Sequence, residues 1–303
     1  MGIKTKLKHA ISFLLHGEPK QVIANVVTLA PSELLKQRCA LITGGTSGIG
    51  YSIAEAYLKA GIKAVVITGR SQEKVDIACH KLSKYGLCLG FVMDNTQVDK
   101  FSGIFKRILQ ELTQHEIHNV DILVNNAGVL GASIPNAKEE DYDKILDTNL
   151  KGVFFLTQFF CNYMVKNNIK GNVLNIASSS SLRPAISAYT ISKWGLRGLT
   201  LGFARAYAKY GITINGLAPG PTATPMLIHN DDKNLLNTLI PLGRFALPEE
   251  IANMAVFLVS DMGHAIIGDI IYMTGGAGLV SFEDINYNLD IELNSNRNSD
   301  LDI

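Results

Sequence analysis

The stretch from Leu41 to Gly50, Leu-Ile-Thr-Gly-Gly-Thr-Ser-Gly-Ile-Gly, limits what this 303-residue chain can fold into more than any other. An apolar run (Ala40, Leu41, Ile42) meets a glycine-rich turn. An apolar-periodic segment follows at once through Ile49, Ile53, Ala56, Tyr57 and Ala60. This reads as strand, tight turn and helix. Gly44, Gly48 and Gly50 remove side chains where a backbone must bend sharply and let a ligand come close. The new helix points its free N–H groups and positive dipole end at the space above the turn, a place suited to a pyrophosphate.

Beyond the turn the pattern alternates. Residues 64–68, 87–93, 121–125, 172–177, 212–217 and 270–273 read as strands. Residues 72–84, 98–114, 139–165, 188–209 and 248–260 read as helices, the last opened by Pro248. Strands alternating with helices imply parallel pairing through right-handed crossovers. The expected fold class is α/β: a Rossmann-type, doubly wound, seven-stranded parallel sheet with helices on both faces. Ligands in such sheets bind beyond the carboxyl ends of the strands.

The overall charge of +1 does not favour nucleic acid, but the two ends differ. Residues 1–38 carry six Lys/Arg against Glu18 and Glu33, and residues 281–303 carry six Asp/Glu against Arg297. We divide the chain into a basic extension (1–37), the main domain (38–280) and an acidic, Asn-rich, mobile tail (281–303). The apolar run Ala10 to Leu15 ends after six residues, too short for a signal peptide or a membrane span. A basic amphipathic helix touching an anionic membrane surface is one reading of the N-terminus, and packing on the protein itself is the other. Cys39, Cys79, Cys88 and Cys161 form no Cys-x-x-Cys pair and have no ligand-spaced histidines beside them. They read as reduced thiols of a cytoplasmic protein, with no metal site.

In dinucleotide folds an acid at the end of the second strand often holds the adenosine ribose. Here that place reads Gly69-Arg70-Ser71, with no acid. An arginine can grip a 2′-phosphate in bidentate fashion, so NADP(H) is expected in preference to NAD(H). Asp94 ends the third strand, where a carboxylate can accept the adenine amino group. Asn125-Asn126-Ala127-Gly128 ends the fourth, where small residues suit a close cofactor.

Thr43-Gly44-x-x-x-Gly48-Ile49-Gly50, Asn125-Asn126-Ala127-Gly128 and Tyr189-x-x-x-Lys193, taken in order, resemble the short-chain dehydrogenase/reductase family, in its single-domain branch. Pro219-Gly220, Thr224-Pro225-Met226, Pro241-Leu242-Gly243-Arg244 and Gly275-Gly276 extend the resemblance over about residues 38 to 280. Tyr189 and Lys193 are four apart and share a helix face. A tyrosine near pKa 10 is a poor acid or base at neutral pH, and a nearby ammonium lowers that pKa. Tyr189 is thus the expected general acid/base of a hydride transfer between nicotinamide and a carbonyl or secondary alcohol. The resemblance adds the nicotinamide ribose as a ligand of Lys193 and a water-relay role for Asn149. A serine at the end of the fifth strand can hydrogen-bond the developing alkoxide. The family spacing would put it about 13 residues before the tyrosine, whereas Ser178 is 11 before. The choice among Ser178 to Ser181 stays open, with Ser178 favoured by strand-end alignment. The cofactor set implied by the resemblance is Gly44, Thr46, Ser47, Gly48, Ile49, Gly50, Arg70, Ser71, Asp94, Asn95, Asn126, Ala127, Gly128, Tyr189, Lys193, Pro219, Gly220, Thr222 and Thr224. Residues 222–247 would form a substrate lid.

The resemblance is nearest to reductases of 3-oxoacyl thioesters carried on acyl carrier protein. The two arginines with which those enzymes dock the carrier fall on Ile169 and Tyr210, with Lys170 and Lys209 beside them. The apolar lid (Met226, Leu227, Ile228, Leu235, Leu236, Leu239, Ile240) suits a hydrophobic substrate. The alternatives are a sugar, sterol or other secondary-alcohol dehydrogenase, and a non-catalytic NADP-binding scaffold or sensor. Phe154, Phe155, Phe159, Phe160, Phe203 and Tyr207 on two long helices exceed what one sheet face covers, so a homo-oligomer, dimer or tetramer, is expected.

Overall fold

A computed structural model describes residues 31–227 and 235–281. Strands β1 (Cys39–Thr43), β2 (Ala64–Gly69), β3 (Cys88–Val92), β4 (Ile122–Asn125), β5 (Asn172–Ile176), β6 (Thr213–Pro219) and β7 (Ile270–Met273) form one sheet. Every pairing is parallel, in the order β3-β2-β1-β4-β5-β6-β7. Helices α1 (Gly48–Lys59), α2 (Gln72–Leu82), α3 (Phe101–Gln114), α4 (Glu139–Leu146), α5 (Gly152–Lys166), α6 (Ala188–Tyr207) and α7 (Pro248–Val259) make the connections. The fold is the doubly wound α/β architecture that the alternation implies.

Successive strand residues point to opposite faces, so the sheet sorts its apolar side chains into two cores. On β1, Ala40 and Ile42 enter one core, and Cys39 and Leu41 the other. The first core is closed by α1 and α7 through Ile53, Tyr57, Ile251 and Ala255. The second is closed by α3, α5 and α6 through Phe105, Ile108, Phe160 and Phe203. Burial on both faces explains why these strands read as continuous apolar runs. The ring of Phe105 meets Phe159, Phe160 and Tyr163 edge-on, with centroids 5.4, 5.8 and 4.8 Å away.

Two expectations change. The helix expected over 139–165 is not continuous. It is α4, then a π-helical turn over Asp147–Lys151, then α5. The wider turn swings Asn149 inward, where its amide accepts from Val129 N (2.9 Å) and donates to Val129 O (3.0 Å). A π turn inside a helix is often found at a functional site. The packed body also begins before residue 38, since Leu35 is wholly buried in the first core and its N–H donates to Ala60 O at 3.0 Å. The basic and apolar residues before 31 and the tail after 281 lie outside the described residues, as does Ile228 of the lid. Among the described residues no helix is long and apolar enough to cross a membrane.

Candidate active site

The strand order reverses between β1 and β4, so a crevice opens at their carboxyl ends. Thr43 ends β1, and its Oγ1 accepts from Asn126 N (3.0 Å) and Ala127 N (3.1 Å). Asn126 Nδ2 donates to Thr43 O (3.0 Å) and Gly44 O (2.9 Å). The amide of Asn126 therefore works as a staple that fixes the shape of the glycine turn. Gly44 (φ +65°) and Gly48 (φ +54°) occupy the left-handed region, which glycine enters without strain. A Cβ on Gly50 would overlap the Asn126 amide nitrogen and Gly44 O, so Gly50 is a packing glycine. A Cβ on Gly48 would project toward Thr224 Cγ2, 3.4 Å away, into the gap between the turn and the loop after β6.

That gap belongs to one continuous cavity of about 960 Å³, at the upper end of the size of ligand pockets. At its β2 end stand Arg70, Ser71 and Lys74. Ser71 caps α2, its Oγ accepting from Lys74 N, which turns the first helical residues toward the cavity. No ion pair or side-chain hydrogen bond engages Arg70 or the Lys74 ammonium among the described residues. Asp94 Oδ1 accepts from Thr96 N and Thr96 Oγ1, both at 2.9 Å, so that oxygen is already used. Asn95 is buried and its Nδ2 has no partner, an orphaned donor at the cavity wall. Two unengaged cations, an orphaned amide, a side-chain-free gap at a helix N-terminus and ample volume all fit a phosphorylated dinucleotide.

The other end of the cavity carries the reacting groups. Ser178 follows β5, and its Oγ accepts from Ser180 N at 3.1 Å, which starts a 3₁₀ turn over Ser179–Leu182. Its hydroxyl and the Tyr189 phenol both line the cavity. Burial raises the phenol pKa, and the neighbouring Ser178 hydroxyl partly offsets the rise. Lys193 is buried, and its ammonium donates to Ile176 O at 2.8 Å while lying 5.5 Å from the Tyr189 ring centre. Burial pulls its pKa down from 10.5 to about 8. The ammonium thus sits over the ring and is hydrogen-bonded to the strand carbonyl.

All but two of the expected site residues line this cavity. Gly50 and Asn149 do not. Gly50 packs beneath the turn, and Asn149 is wholly buried, donating onward to Ser192 Oγ at 3.2 Å. Of the four serines, Ser178 meets Tyr189, whereas Ser181 Oγ donates to Ser178 O (2.8 Å) and pairs with Tyr272 OH (3.1 Å). Lys74 and Tyr272 lie outside the residues that the sequence singles out, and Thr43 is there only as the first residue of the glycine motif. Lys74 was findable from its place in the first helical turn after Arg70. Tyr272 was not, being 91 residues from Ser181. The lid segment is anchored by Ala223 N to Ala246 O (2.8 Å) and Ala246 N to Pro221 O (3.0 Å). Met226, Leu227, Leu236 and Leu239 are exposed, whereas Ile240 is buried.

The family model described as short chain dehydrogenase matches residues 38–235. The chain is 34% identical to a 3-oxoacyl-acyl-carrier-protein reductase of Thermotoga maritima over 249 residues, covering 80% of this chain and 98% of that one. It is 36% identical to a 3alpha-hydroxysteroid dehydrogenase of Mediterraneibacter gnavus over 256 residues, again 80% and 98%. Among solved structures, an actinorhodin polyketide ketoreductase with NADPH matches with a TM-score of 0.72 at 29% identity, over 80% of this chain and 98% of that one.

Proposed function

The chain belongs to the short-chain dehydrogenase/reductase family, whose members are NAD(P)-dependent oxidoreductases of alcohols and carbonyls, and we propose that it is an NADP(H)-dependent carbonyl reductase with Tyr189 as proton donor. The observation that carries this reading is the cluster of Ser178, Tyr189 and buried Lys193 at the end of the cavity opposite two unengaged cations. Arg70 and Lys74 hold the 2′-phosphate, the glycine turn and the N-terminus of α1 hold the pyrophosphate, and Asn95 lines the adenosine side. When bound, the reduced cofactor supplies hydride to the substrate carbon.

The substrate carbonyl oxygen sits between Ser178 Oγ and Tyr189 OH. As negative charge grows on that oxygen, Ser178 donates a hydrogen bond and Tyr189 transfers its proton. The charge left on Tyr189 is stabilised by the Lys193 ammonium. In the oxidative direction the same groups act in reverse. Asn149 positions rather than reacts: through Val129 and Ser192 it ties the β4 loop to α6 beneath Lys193.

The substrate is an apolar 3-oxoacyl thioester, with apolar Met226 and Leu227 on the cavity wall to receive the acyl chain. Lys170 and Lys209 supply the positive charge for an acidic carrier. A hydroxysteroid or other secondary alcohol is the second reading, carried by the same apolar wall. The protein acts in the cytoplasm as a homo-oligomer through the face on which Phe154, Phe155, Trp194 and Leu201 stand exposed. The test is NADPH oxidation with 3-oxoacyl thioesters, ketosteroids and generic ketones, comparing wild type with Tyr189→Phe. A positioned general acid contributes about 10²–10⁴-fold, so turnover should fall by that factor with cofactor affinity unchanged. Equal rates for the two proteins would refute the assignment.

A further inference from the structure

The cysteines divide into two kinds. Cys39 and Cys161 are buried in the second core, where burial pushes the Cys161 thiol up to about 12 and holds Cys39 protonated as well. Cys79 and Cys88 stand together elsewhere, both partly exposed. Cys79 is in the last turns of α2 and Cys88 is the first residue of β3, the edge strand beneath that helix. The Cys88 thiol donates to Cys79 Sγ with the sulfurs 3.6 Å apart.

The local chain holds this arrangement in place. Between the two cysteines lie the 3₁₀ turn Ser83–Tyr85 and Gly86 (φ +154°), which reverse the chain from helix to strand. On β3, a Cβ at Gly90 would lie 2.8 Å from Cys79 Sγ, so the missing side chain is what gives the sulfur its room. Closing the 3.6 Å contact to the bonded distance of about 2.05 Å shortens it by about 1.5 Å.

We propose that Cys79 and Cys88 form an oxidisable dithiol that closes to a reversible disulfide between α2 and β3 when the protein meets a peroxide. The thiolate of Cys79 attacks one peroxide oxygen. A sulfur–oxygen bond forms, the O–O bond breaks, and hydroxide leaves, so sulfur is oxidised by two electrons and peroxide is reduced. Cys88 then attacks the sulfenic sulfur of Cys79. The S–S bond forms, the S–O bond breaks, and the departing hydroxide takes the Cys88 proton. The sum is two thiols and one hydrogen peroxide giving one disulfide and two waters. The hydrogen bond from Cys88 lowers the Cys79 pKa, which suits it as the attacking sulfur, and raises that of Cys88, the resolving one.

The experiment treats the full-length protein with hydrogen peroxide, blocks free thiols with N-ethylmaleimide in denaturant and weighs the intact chain. Reduced wild type should take up four maleimides, one per cysteine. Oxidised wild type should take up two, with peptides around Cys79 and Cys88 linked and dithiothreitol restoring four. Cys79→Ser and Cys88→Ser should each keep three free thiols through the same treatment, apart from sulfenic or sulfinic acid on a remaining Cys79. The oxidised protein should melt no lower than the reduced one, because the link closes a contact already present. Four free thiols after peroxide, a link through Cys39 or Cys161, sulfinic acid on wild-type Cys79 with Cys88 free, or a melting point lowered by several degrees would each overturn the proposal.

Discussion

Replacing Lys193 by methionine should abolish turnover and make the unliganded protein more stable. The ammonium is buried, and burial takes its pKa from 10.5 to about 8. At about 1.4 kcal/mol for each pH unit, holding this charge in the fold costs about 3 kcal/mol at neutral pH. Methionine has nearly the same shape and no charge, so that penalty is relieved. The bond to Ile176 O is lost with it, which removes about 2 kcal/mol because the donor is charged. A net gain of about 1 kcal/mol remains, to be read as a higher urea midpoint at fixed protein concentration. The sign with pH follows from the lowered folded value. The unfolded chain binds the proton more tightly, so the penalty is fully present below about pH 8 and fades as pH rises toward 10.5. The gap between variant and wild type should therefore shrink between pH 8 and pH 10.5. A variant less stable than wild type at pH 7, or a gap unchanged by pH 10.5, would show that Lys193 is not held against a burial penalty. The same charge that opposes folding would then not be the one kept in reserve for the phenolate, as in other sites where function opposes stability.

Three further outcomes follow from the geometry. Arg70→Ala should raise the KM for NADPH about tenfold at low salt and leave that for NADH nearly unchanged, the low end of a charged hydrogen bond because the side chain is exposed. Equal changes for both cofactors would remove the 2′-phosphate from Arg70. Gly50→Ala should destabilise by about 1–3 kcal/mol, since its Cβ meets backbone and a stapled amide that cannot retreat. Gly103→Ala, in an exposed turn of α3 with open space around it, should instead stabilise by about 0.5–1 kcal/mol, both read from denaturant midpoints.

What the sequence discloses about the site depends on the range over which each residue is held. The glycine turn is legible because its causes are local: a strand end, a left-handed φ at Gly44 and Gly48, and a helix start within ten residues. Tyr189 and Lys193 are legible because helical spacing alone puts them on one face. Spacing cannot assign partners, and there the reading fell short. It gave the ammonium to the phenol as the agent that lowers its pKa. In the fold the Lys193 ammonium over the Tyr189 ring also bonds Ile176 O, and the Ser178 hydroxyl is a second group that opposes the rise caused by burial. Asn126, expected among the cofactor residues, lines the cavity, and its amide also bonds Thr43 and Gly44 across 83 and 82 residues. The π turn is hidden for the same reason, since Asn149 answers to Val129 twenty residues away and an apolar period does not register one extra residue in a turn. A constellation of residue types thus survives translation from sequence to structure better than the wiring among them. Charge state follows the wiring, which is why the pH-dependent stability of Lys193→Met tests the site more sharply than its loss of turnover.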